Sequence, residues 1–520
     1  MISIKRAAVC AALFLFSPAG AANAQDVTLT SRDGKVEVSG TLSGFDGEFY
    51  RLDTEYGELT VDGSGVRCLG PGCPNLEDYV AELRLSGAAS MGAVLMPALV
   101  EAFAQRDGYS VTRDENGPGL FTLSLTRTEG DKLAARFHFR ASNTDEGFAD
   151  LLADEADIVM ALREIRRKER INAREAGLGD LTGANRSRVL ALDALVPVVA
   201  PGNPLREITP RQLARVLAGK ITNWQALGGP DAPIELHLPD SRSGLAQAIE
   251  NQVMRPIELE IAETVTRHPL PETLAEAITA DSFSLGVTNY SERRESQMLV
   301  LTGGCGFALS ATRRSVKTED YPLTAPMFLY FPARRLPLIG REFLGFIQGP
   351  TAQNVIRRAG FVDQRPEEIS IDEQGNRFAN AISAAGSETS LEELQRMAAT
   401  LSPLARLSTT FRFEAGSIRL DAQSRSNVQQ LALALEQGQY DTRRLVFVGF
   451  SDGDGPATAN RDIALRRAEA VRRAVIAAAV TANPERLQLD VDAFGEAMPM
   501  ACDDSEWGRQ VNRRVEVWVR

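Results

Sequence analysis

Histidine is scarce: His138, His237 and His268 are the only three in 520 residues, and they stand far apart in the chain. That leaves no multi-histidine metal site to read. Positive charge is also in deficit. There are 57 Lys and Arg against 69 Asp and Glu, a net charge of −12, which argues against nucleic acid as a partner. After the first two dozen positions no run of about 18 apolar residues occurs, so no membrane span is read there. What is present is ordinary: 44% hydrophobic and 24% charged residues, enough for normal cores, over a length that suggests about three domains.

Residues 1–24 carry Lys5 and Arg6, an apolar run from Ala7 to Phe16, and a closing Ala22-Asn23-Ala24. This is the order of a secretory signal peptide, so the mature protein is expected to be exported. Cys10 would leave with it. Of the four remaining cysteines, Cys68 and Cys73 bracket the turn Leu69-Gly70-Pro71-Gly72 and are expected to form a small-loop disulfide. Cys305 and Cys502 then either pair or stay free.

Residues 25–78 alternate apolar and polar between turn signals at Asp33-Gly34, Asp46-Gly47 and Tyr56-Gly57, a pattern of short strands in a small β module. Strands alternate with helical patterns over 79–365, as in an α/β fold with parallel-sheet units. Residues 366–405 are acidic, with Leu391, Leu394, Met397 and Leu401 at helical spacing, and read as a linker or spacer helix. Residues 406–520 return to alternating strands and helices and end in the strand Val515–Val519. The expected fold is therefore multidomain: a β module, an α/β region, a helical linker and a C-terminal α/β domain.

In the last domain a loop acid, Asp452, precedes a helix on which Asn460 and Arg467 lie two turns apart on one side. An acid and a guanidinium so placed form a fork for both charges of a zwitterion; the alternative is a plain Asp–Arg ion pair. Gly449-Phe450-Ser451-Asp452-Gly453 also matches the nucleophile-elbow pattern, but no His follows position 268 to act as base, so no enzyme is expected. A calcium loop starting at Asp452 fails because Ile463 occupies its twelfth position.

Val448-Gly449-Phe450-Ser451-Asp452, Asn460 with Leu465-Arg466-Arg467-Ala468, Gly495-Glu496 with Pro499, and Asn512-Arg513-Arg514-Val515-Glu516 resemble the OmpA-like peptidoglycan-binding domain. The resemblance implies a noncovalent hold on the diaminopimelate of the stem peptide. Asp452 and Arg467 would be the main contacts, with Asn460 and Arg513 secondary. The chain departs from that pattern at Phe450-Ser451, Ala464 and Gly416.

In the α/β region the strand Ala81–Leu85 runs into the small-residue loop Ser86–Ser90, and Ser241-Arg242-Ser243-Gly244 opens a second helix. Loops of this kind offer backbone N–H groups to an anion. Asn203-Pro204-Leu205, Gly219-Lys220-Ile221-Thr222-Asn223-Trp224, Ala156–Ala161, Tyr321-Pro322-Leu323 and Gly360-Phe361-Val362 resemble the periplasmic phosphate-binding proteins of ABC importers. This implies two α/β lobes closing on a ligand, with Ser90, Ser243 and Gly244 at oxyanion positions. The chain has Leu245, Ala161 and Pro239 where that family carries polar partners, which leaves Arg163 or Arg242 to supply positive charge. The expectation is a periplasmic binding protein associated with peptidoglycan and the outer membrane, taking phosphate or another oxyanion, with no cofactor. The alternative is an envelope scaffold that has lost its ligand.

Overall fold

Alternating Val27, Leu29, Tyr50 and Leu52 supply the buried side of a five-stranded antiparallel sheet, built by Asp26–Ser31, Glu37–Phe45, Phe49–Thr54, Gly57–Asp62 and Val66–Leu69. In this computed structural model, residues 26–76, 79–183, 186–386, 388–414 and 416–520 are described; the predicted signal peptide lies outside them. The Cys68–Cys73 disulfide closes the last strand of the small sheet, with Cα atoms 5.7 Å apart, as the turn between them suggested. The chain divides into two compact units at Ala81 and Glu82.

The second unit holds a long sheet, a short five-stranded sheet and a three-stranded one of Glu207–Ile208, Val300–Thr302 and Ala308–Leu309. The long sheet contains two lobes joined by crossing strands. Ser187–Val199 runs antiparallel to Thr324–Tyr330 over residues 187–194 and then pairs through Leu195–Val199 with Ser284–Asn289. On one side lie Ile158–Ala161, Ala81–Ala88 and the hairpin strands from Tyr109 to Ser142; on the other lie Glu235–Pro239 and Thr266–His268. The crossing strand is buried along nearly its whole length, as expected where both faces of a sheet are covered. Trp224, from the Gly-Lys-Ile-Thr-Asn-Trp stretch, is fully buried and donates its indole N–H to the Phe283 carbonyl at 3.0 Å, so this motif is core structure of the second lobe.

The short sheet has the order Glu368–Ile369, Ala405–Phe411, Arg514–Val519, Arg444–Phe450, Gln488–Gly495. Helices Ala422–Glu436 and Ala457–Ala478 cover one face. The other face is covered by the 366–405 stretch: Ala381, Met397 and Leu401, from helices Gly375–Ala384 and Leu391–Leu401, pack on Val446, Val448, Phe450 and Trp518. The apolar stripe predicted there is real, but it seals the C-terminal sheet rather than standing off as a spacer.

The lobes and the C-terminal domain are welded together. Cys305 and Cys502 form a disulfide, one of the two outcomes left open by the sequence. Arg406, on the first long strand of the short sheet, makes a two-pronged ion pair with Asp320 at 2.7 and 3.0 Å, all of it buried. Beside it, buried Glu319 faces Arg412 at 3.9 Å and Asn427 at 3.3 Å. Burial is the main cause that pushes its pKa up to about 8. Burial likewise raises Asp193 to about 6 and Glu292 to about 7. Groups raised in this way hold protons in the folded state that the unfolded chain has released. Their contribution is therefore full below about pH 4 and is lost as the pH rises through the folded values. Stability should fall between pH 5 and 8, and Glu319→Gln should flatten the decline by on the order of 2 kcal/mol, read from urea midpoints at several pH values. An unchanged slope in the variant would contradict this.

Candidate functional site

Gly449 sets the geometry of the C-terminal site. A Cβ there would sit 2.1 Å from the Ala464 carbonyl oxygen, so only glycine lets the long helix lie this close to the strand. That strand ends at Phe450 and leads into Ser451-Asp452. The helix Ala457–Ala478 buries Asn460, Ala464, Arg467, Ala468, Val471 and Val475 along one stripe. Asn460 and Arg467 are thereby held on the side facing the loop.

Arg467 is 5% exposed and, among the described residues, has no carboxylate within ion-pair distance. Its guanidinium lies over the Phe413 ring at 5.1 Å. Nη2 makes a long bond of 3.5 Å to the Ser417 carbonyl, and Nε has no partner among the described residues. Burial holds its pKa below the ordinary guanidinium range; Arg513 adds to the fall and Asp452 opposes it. A buried cation with unmet donors is costly, and a carboxylate brought by a ligand would relieve that cost.

Asp452 does not pair with Arg467 directly. Arg513 intervenes: its Nη1 donates to Asp452 Oδ2 at 2.9 Å and its Nη2 bonds Glu506. Asn460 donates to Glu496 Oε2 at 2.6 Å and to the Gly455 carbonyl at 3.3 Å. The four residues read from the sequence thus flank one loop, with Asp452 on Arg513, Asn460 on Glu496, and Arg467 without a carboxylate among the described residues. Two further groups join them. Ser451 is buried, with its Oγ unbonded among the described residues. Asp503 accepts from Gly453 N–H at 2.9 Å and from Asn512 at 2.8 Å, and burial raises its pKa. Asp503 was missed because its link to the loop spans 50 positions and no local pattern marks it.

Between the lobes, Gly244 comes against the first lobe: a Cβ on it would lie 3.2 Å from Leu162 Cδ1 and 3.6 Å from Ala88 Cβ. Ser243 caps its helix, its Oγ accepting from Ala246 N–H at 3.1 Å. Ser90 Oγ is buried without a partner among the described residues, as are Ser142 Oγ and Gln247 Oε1, which the sequence did not single out. Gln247 reaches across to Asn143 Oδ1 at 3.3 Å.

The two candidate cations do not join this group. Arg163 is taken up by Glu169, at 2.6 and 2.9 Å, and by Asp145. Arg242 has an 86% exposed side chain and, among the described residues, bonds Asp240 at 3.3 Å. The unpartnered polar atoms named here, on Ser90, Ser142 and Gln247, are neutral.

The PBP superfamily domain matches residues 75–350 and the OmpA family matches residues 412–513. The phosphate-binding protein PstS of Borreliella burgdorferi is 23% identical over 200 residues, covering 37% of this chain and 71% of the relative. Protein SphX of Synechococcus elongatus is 26% identical over 233 residues, covering 42% and 67%. The crystal structure of an ABC-type phosphate transport receptor from Vibrio cholerae superposes with a TM-score of 0.41 at 19% identity, over 54% of this chain and 99% of that one. With more than half of its length matched, the chain belongs to the PBP superfamily, here joined to an OmpA family domain.

Proposed function

We propose that this is an exported, non-enzymatic binding protein of the cell envelope, held on peptidoglycan through Asp452, Asn460, Arg467 and Arg513. The carboxylate of a diaminopimelate stem would satisfy Arg467, and its ammonium would lie among Asp452, Glu496 and Asp503. One observation carries the reading: Arg467 is a buried guanidinium that meets no carboxylate among the described residues. Retention of the full chain on isolated peptidoglycan, displaced by soluble diaminopimelate, tests it. Retention that diaminopimelate does not displace would reject it.

The two-lobed module would take phosphate or another oxyanion between Ser90 and Ser243-Gly244, a reading supported by the relatives whose names state phosphate binding. A second reading, a ligand-free envelope scaffold, is favoured by the locking of Arg163 to Glu169 and Asp145. A dianion in a closed cleft needs charge-assisted donors, and the unpartnered polar atoms on Ser90, Ser142 and Gln247 are neutral. Calorimetry with phosphate and sulfate separates the two: heat that weakens in Ser243→Ala and Ser90→Ala supports the oxyanion site, and no heat supports the scaffold.

A further inference from the structure

The C-terminal domain touches both lobes, and one of the contacts leads to its own candidate ligand site. On the first lobe, the backbone N–H of Ala422 donates to Glu164 Oε1 at 2.8 Å. On the crossing strand, Val189 N–H donates to Ser426 Oγ at 3.3 Å. On the second lobe, the indole N–H of Trp507 donates to the Gln252 carbonyl at 2.8 Å, and the Cys305–Cys502 disulfide fixes the neighbouring loop. A cavity of about 350 Å³ lies among these contacts, with Leu162, Ala248, Gln252, Trp507 and Val511 in its walls.

Two helical segments meet at Trp507. The helix that begins at Gly244 continues without a break from Ile249 through a π-type turn to Met254, a rod of about 16 Å with the lobe contact at one end and Gln252 near the other. Helix Glu506–Asn512 carries Trp507 and Glu506 in its first turn and is followed at once by Arg513, which is bonded to both Glu506 and Asp452. Trp507 is 6% exposed, so its ring is packed as well as bonded. No free linker separates the modules, since the 366–405 stretch is part of the C-terminal fold.

We propose that the OmpA family domain clamps the two lobes together, and that peptidoglycan held at Arg467 and Arg513 tightens this clamp through Trp507. Trp507 is thus a positioning residue that couples attachment to lobe closure. The inference rests on the peptidoglycan reading above. A ligand on Arg513 suppresses every opening in which helix Glu506–Asn512 leaves its place, and the Trp507–Gln252 bond passes that restraint to residues 244–254. Because coupling is reciprocal, any solute that closes the lobes strengthens attachment in turn.

Hydrogen exchange of the full oxidised chain, with and without a diaminopimelate-containing murein fragment, tests the proposal. The fragment should slow exchange in 244–254 by about threefold or more. In Trp507→Phe, which keeps an aromatic ring but no donor, the fragment should still bind while the slowing stays within the C-terminal domain. A fragment that binds and leaves 244–254 unchanged overturns the coupling and leaves the peptidoglycan reading intact. A native-like response in Trp507→Phe overturns the role of Trp507. A fragment that fails to bind overturns both.

Discussion

Arg467→Ala is expected to lower affinity for isolated peptidoglycan by about two orders of magnitude, while the melting temperature should hold or rise. The two effects separate because Arg467 is a buried cation with one long bond to Ser417 and a ring beneath it, so the folded protein loses little when it is removed. A ligand carboxylate would lose its fork. Arg467→Lys retains the charge without the two-pronged geometry and should recover only part of the affinity. Asp452→Ala should behave differently, lowering both affinity and stability, the latter by about 1 kcal/mol, because Arg513 loses one of its two partners. Equal retention of the Arg467 variants and the native chain would show that the unpaired guanidinium has no ligand there.

The second large effect lies beneath the site. Glu516→Ala should destabilise the chain by about 3–5 kcal/mol, measured by urea unfolding. Glu516 is fully buried and accepts from Arg514 Nε at 2.7 Å and Trp518 Nε1 at 3.0 Å, bonds Arg377, and lies 3.4 Å from Arg406 Nε. Without it, Arg514 and Arg377 lose the carboxylate they bond, and Arg406 keeps Asp320, which comes from the two-lobed module. The three surrounding arginines hold the Glu516 carboxyl well below the usual range against the opposing effect of burial. Its stabilisation is therefore present above about pH 4.5 and disappears as acid approaches the folded value. An alanine variant as stable as the native chain would mean that the network is dispensable.

How far the sequence could be read depended on the range of the interactions involved. Asp452, Asn460 and Arg467 were legible because a strand, a loop and a helix in direct succession place them, and helical spacing alone puts two of them on one side. Their pairing was not legible. Arg513 reaches Asp452 from 61 positions away, and whether an acid meets one arginine or another depends on packing that spacing does not encode. The partners of Arg163 were not legible for a related reason. Its charge is cancelled by Asp145, 18 positions earlier, and by Glu169, 6 positions later. The stripe Leu391, Leu394, Met397 and Leu401 announced a buried face without naming the surface that buries it, so a sheet cover was read as a linker. Four cysteines allow three pairings, and only the short Cys68–Cys73 loop identified itself; the bond that ties the modules together spans 197 positions.

In the proposed function, Arg467 and its neighbours grip the doubly charged end of a diaminopimelate stem. Lysine at that place in the stem keeps the ammonium and lacks the second carboxylate. Titration of the full chain with otherwise identical stem peptides carrying diaminopimelate or lysine therefore tests the claim most directly. Affinity at least about tenfold higher for the diaminopimelate peptide, with the difference vanishing in Arg467→Ala, is the result predicted. Equal affinity for the two peptides in the native chain would contradict it.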